Sequence, residues 1–114
     1  MPFLSEKDLL NLEAILESVD KIENYINGIH NSVEFYDDEK TFDSVLMNFV
    51  VIGESTAKLR KELRESHPQV SWGKIKSFRN IIAHNYFGID AEEVWQLIHS
   101  HLLQLRTDVR KILE

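Results

Sequence analysis

Apolar side chains recur at every third or fourth position along most of the chain, and no other feature restricts its fold as strongly. That spacing places the apolar residues on one face of an α-helix. Only two prolines and four glycines interrupt the 114 residues, so few positions force a helix to end. Runs of alternating apolar and polar residues, which are typical of half-buried strands, are absent from the sequence. The sequence therefore predicts an all-α protein.

The first helix is predicted to begin after Ser5, an N-cap residue with Asp8 three positions later in an arrangement similar to a capping box. It is expected to end near residues 33–36, before the acidic loop at 37–40. Its spacing of three and four residues is that of a long amphipathic helix. The apolar stripe consists of Leu9, Leu12, Leu16, Val19, Ile22, Ile26 and Ile29.

A second helix is predicted over residues 42–66, and Pro68 follows it because proline lacks the N–H group that a continuing helix needs. Three small residues lie within this helix, namely Gly53, Ser55 and Ala57. Small side chains allow another backbone to come close. We therefore expect a tight contact between this helix and a neighbouring element.

Two shorter patterns complete the chain. Ser71 is expected to cap a third helix over residues 72–83, and Asp90 a fourth that continues to the C-terminus. Amphipathic helices joined by short loops pack as antiparallel bundles, so residues 1–114 are expected to form a single domain of four to five helices. Stripes this rich in apolar residues leave surplus apolar surface, which favours a homodimer.

The net charge of −6 argues against general nucleic-acid binding, but the charge is unevenly distributed. Residues 1–43 contain 11 acidic and 3 basic side chains, whereas residues 58–79 contain 7 basic and 2 acidic ones. This basic segment, residues 58–79, is either a solvated helix face or a surface that attracts phosphate. The sequence contains no cysteine and no apolar run near the ~20 residues of a membrane span. These features indicate a cytoplasmic protein without a membrane partner.

Segment 77–90 concentrates the side chains that are most able to carry chemistry. They are Arg79, Asn80, His84, Asn85 and Tyr86. Arginine binds a phosphate through two N–H groups and stabilises charge that develops on it, and histidine exchanges protons near neutral pH. The five histidines follow no metal-ligand spacing. The side chains of this segment are those that cleavage of an RNA phosphodiester without a metal or another cofactor would use.

The same residues have ordinary structural interpretations. Arg79 could form a surface ion pair with Glu54 or Glu92. His84 could interact with a helix C-terminus, and Tyr86 could pack in the core. In a continuous helix Arg79 and His84 would lie about 140° apart, whereas Arg79 and Tyr86 would lie within about 20°. Arg79 and His84 therefore meet only if the helix loosens near His84 or if two copies form a cleft.

The spacing of Arg79, His84 and Tyr86 resembles the R-x4-H-x-Y signature of HepT-like proteins in the HEPN superfamily. The likeness extends over residues 46–114, and residues 1–45 are similar only as an amphipathic first helix. Further stretches that resemble the family are Val51 to Glu54, Leu63 to Pro68 with Trp72, Arg79 to His84, Tyr86 to Asp90, and Val94 with Trp95.

The resemblance implies a homodimeric helical bundle in which the two copies of the motif line a shared cleft. It implies a metal-independent endoribonuclease that acts as the toxin of a type VII-like toxin–antitoxin pair. Arg79 would hold the scissile phosphate, and His84 would act as acid or base. Asn80 and Asn85 lie beside these residues and would help to hold the RNA.

The resemblance also implies how such an enzyme is regulated. Tyr86 matches the residue to which a minimal nucleotidyltransferase antitoxin transfers AMP, and the added bulk and charge would block the cleft. Glu54 on the second helix is expected to orient Arg79. The alternative is a non-catalytic helical binding partner or positioning subunit of a nucleotidyltransferase. The complete set of motif residues disfavours that alternative, although the fold alone does not decide between the two.

Overall fold

The computed structural model describes residues 4–80 and 90–114, and this part of the chain is helical without any strand. The all-α prediction is confirmed. The last two helices are joined by a π-helical turn, Ile98–Leu102. The helices are α1 (Glu6–Ile26), α2 (Ser32–Asp37), α3 (Glu39–Ala57), α4 (Lys61–Ser66), α5 (Trp72–Lys76), α6 (Ala91–Leu97) and α7 (Leu103–Leu113).

Helices α1 and α3 form the centre of the bundle and run antiparallel. The start of α1 lies beside the residues that follow α3, because Asp8 binds Arg60. The end of α1 lies beside the start of α3, where Tyr25 and Asp43 line one groove. Helix α7 packs on α1, α5 packs on α3, and α2 contacts both α3 and α6. The fully buried side chains at the centre include Leu12, Ile15, Val19, Ile22, Val45 and Ile52.

The first helix ends at Ile26 rather than at residues 33–36, so that prediction is wrong. Gly28 has a φ of +89°, a left-handed conformation that side-chain-bearing residues rarely adopt, and the chain turns there. Asn31 then begins a new helix by accepting the N–H of Glu34 at 2.9 Å. The stretch predicted as one long helix is therefore two helices, α1 and α2.

The helix predicted over residues 42–66 is also two helices. Helix α3 begins earlier, because Asp38 caps it by accepting the N–H of Thr41 at 3.1 Å. Helix α4 begins separately because the carboxylate of Asp8 accepts the backbone N–H of Arg60 at 3.0 Å and its Nε–H at 2.6 Å. A residue of α1 therefore accepts the backbone N–H of Arg60, the N-cap residue of α4.

Ser5 caps α1 as predicted, since its hydroxyl accepts the N–H of Asp8 at 3.0 Å. The carboxylate of Asp8, however, is buried and binds the partly exposed Arg60 at the junction between α1 and α4. The capping-box prediction is therefore correct for Ser5 and wrong for the role of Asp8. Asp8 instead joins two helices that are distant in the sequence.

Ser71 occupies the N-cap position of α5, but its side chain makes no capping hydrogen bond. The chain turns at Ser77 and is helical again over residues 78–80; the end of the helix predicted over 72–83 lies outside the described residues. Asp90 caps α6 as predicted by accepting the N–H of Glu92 at 2.9 Å. No helix of the described ranges is both long and apolar enough to cross a membrane.

Candidate functional site

The segment that carries Arg79 packs tightly against α3 at Gly53. A Cβ atom at position 53 would lie 2.9 Å from the backbone N of Arg79, 3.1 Å from its Cβ and 3.3 Å from the carbonyl oxygen of Lys76. Only glycine fits there without displacing backbone. The tight contact predicted from the small residues of the second helix is therefore present, at Gly53.

Phe78 fixes the same segment from the core side. Its side chain is fully buried, and its ring lies edge-on to that of Phe49 with the ring centres 5.0 Å apart. Phe49 and Gly53 are one helical turn apart on α3 and share a face. These two contacts hold the backbone that presents Arg79.

Arg79 and Glu54 are brought together at the edge of α3. One terminal guanidinium nitrogen of Arg79 donates to Glu54 Oε1 at 3.1 Å, with 35% of the Arg79 side chain and 47% of the Glu54 side chain exposed. Glu92, the other acid considered as a partner, hydrogen-bonds Gln96 instead. The contact fits both an ordinary surface ion pair and an orienting role for Glu54. Asn80 is exposed directly beside it.

Much of the positive charge of the basic segment is already neutralised. Arg60 pairs with Asp8, Lys61 with Glu65 at 3.7 Å, and Arg79 with Glu54. The described ranges place no acidic group within 4 Å of the remaining basic side chains of the segment. These side chains are Lys58, Arg64, Lys74 and Lys76.

Three of the predicted site residues, His84, Asn85 and Tyr86, lie outside the described residues. Their roles, like those of Arg79, Asn80 and Glu54, stay predictions. Among residues 4–80 and 90–114, no three or more His, Asp or Glu side chains are grouped closely enough to share a metal ion. Metal independence also stays a prediction.

A second group of polar residues was not recognised from the sequence. It lines a half-open groove of about 300 Å³, which we term the polar groove. Its sequence signal is the recurrence of His101, Gln104 and Asp108 at helical spacing on the last helix. The other lining residues are Gln69, Ser71, Ile75, Ser100 and Leu105.

Comparison with known proteins identifies the family. The HepT-like ribonuclease family matches residues 15–112. A Thermococcus cleftensis protein named "Probable ribonuclease HepT" is 28% identical over 108 residues, which cover 95% of this chain and 96% of that protein. A candidate RNase of Caldanaerobacter subterraneus subsp. tengcongensis is 30% identical over 103 residues, covering 90% and 91%.

A third relative, from Methanocaldococcus jannaschii, is named as a gamma-glutamylcyclotransferase and candidate RNase. It is 29% identical, and the match covers 90% of this chain but only 46% of that longer protein. No solved structure matches the chain significantly. The family match includes α3, the basic segment and the R-x4-H-x-Y spacing, and it confirms the resemblance: the chain belongs to the HepT-like ribonuclease family of the HEPN superfamily.

Proposed function

We propose that this protein is a metal-independent endoribonuclease and the toxin of a toxin–antitoxin pair. The observation that carries the proposal is the complete spacing of Arg79, His84 and Tyr86 in a member of a ribonuclease family. The names of its relatives support RNA as the substrate. The geometry of Arg79 supports a role in binding phosphate.

Arg79 holds the scissile phosphate in this proposal. Its guanidinium has five N–H donors, of which Glu54 engages one side only, and a third of the side chain remains exposed. A phosphate can therefore accept two parallel hydrogen bonds from Arg79. Gly53 and Phe78 fix the backbone, and Glu54 acts as a positioning residue for the guanidinium.

His84 transfers the protons. The 2′ oxygen attacks phosphorus, the bond to the 5′ oxygen breaks, and the products carry a 2′,3′-cyclic phosphate and a 5′-hydroxyl group. This step releases one proton from the 2′-hydroxyl group and consumes one at the leaving oxygen. A homodimer cleft supplies two copies of His84, one for each transfer. Asn80 and Asn85 contact the sugar and phosphate beside the cut.

The lysine and arginine side chains of the basic segment that have no acidic group within 4 Å in the described ranges guide the RNA backbone. Lys74 and Lys76 precede Arg79 directly, and Lys58 ends α3 near the same edge. A chain with a net charge of −6 attracts RNA only through such local charge. RNA binding is therefore expected to weaken steeply as salt increases.

AMP transfer to Tyr86 by a nucleotidyltransferase antitoxin switches the enzyme off. The phenolic oxygen attacks the α-phosphorus of ATP and pyrophosphate leaves. The new phosphodiester places negative charge within two residues of His84, where it repels RNA. Mass spectrometry after co-expression with the antitoxin should find added AMP on the peptide that contains Tyr86, and AMP found only elsewhere would contradict this assignment.

Expression in a bacterial host tests the main proposal. Wild type should stop growth and produce cellular RNA fragments with 5′-hydroxyl ends, whereas His84→Ala should accumulate as folded protein without either effect. Equal toxicity of both proteins would contradict the role of His84. A folded, unmodified wild type that neither stops growth nor cuts RNA would favour the non-catalytic partner of a nucleotidyltransferase.

A further inference from the structure

The polar groove lies between α5 with the loop before it and the last helix. Gln69, Ser71 and Ile75 form one wall, and the π-helical turn and α7 form the other. Ile75 and Leu105 are almost completely buried and give the groove an apolar floor. The rim is formed by amide, hydroxyl, imidazole and carboxylate groups, a combination suited to a flat ligand with polar edges.

The hydrogen bonds of the π-helical turn define which atoms His101 offers. The hydroxyl of Ser100 donates its single proton to the carbonyl oxygen of Gln96 at 2.7 Å. Nδ1 of His101 lies 2.6 Å from the same hydroxyl oxygen. Because Ser100 engages Nδ1, Nε2 is the ring nitrogen of His101 that remains for a ligand.

Asp108 and Gln104 form the charged part of the groove. Asp108 is only 9% exposed, and one of its carboxylate oxygens accepts the side-chain N–H of Gln104 at 2.9 Å. An ionised carboxylate only accepts hydrogen bonds, whereas the Gln104 amide retains a second N–H and its carbonyl oxygen. Asp108 and Gln104 thus place a carboxylate, which only accepts hydrogen bonds, beside an amide that both donates and accepts them.

This chemistry selects among ligands. A carboxylate repels a phosphate placed beside it, so the groove suits a neutral group. A nucleobase is flat, with apolar faces and donors and acceptors on its edge. Guanine, adenine and cytosine carry an exocyclic amino group that donates to a carboxylate, and uracil does not.

We propose that the polar groove binds one nucleobase of the RNA substrate and selects a base with an amino group over uracil. Helix α5 carries Ile75, which lines the groove, between Lys74 and Lys76, which precede Arg79 in the chain. In this proposal the RNA strand follows these lysines, and one of its nucleobases lies at Asp108 and Gln104. This inference rests on the proposed ribonuclease function.

Mapping of cleavage sites in a random-sequence RNA pool tests the proposal with wild type, Gln104→Ala and Asp108→Asn. Gln96→Ala is the matched control, because Gln96 is exposed on α6 and binds Glu92 outside the groove. Wild type and the control should disfavour uracil about tenfold at one position near the cut. Gln104→Ala and Asp108→Asn should reduce that preference to about twofold or less.

The outcomes separate this proposal from the proposed function. Cleavage without a base preference, or with a preference that Gln104→Ala and folded Asp108→Asn retain, overturns the groove as a base site and leaves the ribonuclease standing. If wild type cuts no RNA, the proposed function fails. Titration with guanosine and uridine then tests whether the groove binds a nucleobase that carries an amino group. Guanosine-specific shifts of the Gln104 and His101 NMR signals would support it, and unshifted signals would overturn it.

Discussion

Arg60 and Arg79 are similarly exposed, at 39% and 35%, and each binds a carboxylate from another helix, but the two carboxylates differ in burial and in the number of hydrogen bonds that they accept. Asp8 is completely buried and accepts two hydrogen bonds from Arg60, at 3.0 and 2.6 Å. Glu54 is about half exposed and accepts one from Arg79 at 3.1 Å. The carboxylate of Asp8 is shielded from water by the bundle, whereas that of Glu54 is in contact with solvent.

The two pairs therefore place the same kind of contact in different surroundings. Burial alone would raise the pKa of Asp8, but hydrogen bonds from the backbone and side chain of Arg60, together with its charge, hold that pKa below the ordinary value. Asp8 also raises the pKa of Arg60. This pair stays charged and joins α1 to α4, and we expect it to matter for stability. The pair at Arg79 is expected to matter for activity.

The largest expected effect is on the RNA-cleavage activity and comes from the Arg79–Glu54 pair, which we term the open pair. Arg79→Ala should lower the rate of RNA cleavage about 10²- to 10³-fold, because it removes the group that stabilises charge on the phosphate. Its melting temperature should change little, since a half-exposed ion pair contributes only about 0–1 kcal/mol. Initial rates and thermal unfolding of the same preparation check both statements. Full activity of the variant would contradict a role for Arg79 in cleavage.

The next effect is on stability at the buried pair. Arg60→Ala leaves the buried carboxylate of Asp8 without its side-chain partner and should lower the free energy of unfolding by more than removal of a fully exposed ion pair does. Cleavage per folded molecule should stay within about twofold. Lys61→Ala is the control, because its exposed pair with Glu65 should contribute about 0.5 kcal/mol or less. Urea unfolding measures the difference, and equal stability of the two variants would contradict the comparison.

Gly53→Ala tests whether backbone position supports the open pair. The new methyl group would lie 2.9 Å from the backbone N of Arg79, so the variant should lose about 1–3 kcal/mol of stability and part of its activity. Gly73→Ala in α5 is the matched control, because a Cβ atom there meets nothing within 4 Å. The control should be equally or more stable than wild type. If both variants have the same stability and activity, the close packing at Gly53 does not support the position of Arg79.

A smaller effect is expected from pH. Because the pKa of Asp8 lies below its ordinary value of 3.8, the folded protein holds the ionised form more tightly than the unfolded chain does. The stabilisation is present above pH 3.8 and is lost as the pH falls through the folded-state pKa. Asp8→Asn should flatten the dependence of stability on pH in this acidic range. If the free energy of unfolding of Asp8→Asn, measured with urea, falls with decreasing pH as steeply as that of wild type, other carboxylates cause the dependence.

The smallest effect is expected at Glu54. Glu54→Ala frees the guanidinium of Arg79 and should lower cleavage about three- to tenfold through lost orientation. Glu54→Gln keeps an oxygen that accepts the hydrogen bond and should restore activity to within about twofold of wild type. The melting temperature of both should stay near that of wild type. Loss of stability without loss of activity in Glu54→Ala would make the contact an ordinary surface ion pair.

The helical period predicted the all-α fold and the burial of Leu12, Val19 and Ile22, but not where two helices end. It also placed the exposed Leu9 in the apolar stripe and missed the buried Ile15.

Gly28 follows an asparagine, a dipeptide typical of turns, and this signal could have located the end of α1. The break before α4 was not predictable in this way, because it depends on Asp8, which lies 52 residues from Arg60 in the sequence. Local spacing contains no information about such a contact.

The candidate site was predicted unevenly for the same reason. The small side chain of Gly53 predicted a close approach, and the structure places Arg79 there. The composition of the basic segment did not reveal that Asp8 and Glu54, which belong to other helices, pair with two of its arginines. The roles of His84 and Tyr86 depend on the resemblance to HepT-like proteins. Neither residue had a role that periodicity or charge could assign.

The central claim is that Arg79 and His84 cut RNA without a metal ion. Its most direct test is cleavage in EDTA by purified, unmodified wild type beside Arg79→Ala, His84→Ala and the destabilised but site-intact Arg60→Ala, each at equal concentration of folded protein. Wild type and Arg60→Ala should produce 2′,3′-cyclic phosphate ends, and the other two should not. Cleavage that EDTA abolishes, or that His84→Ala retains, would contradict the claim.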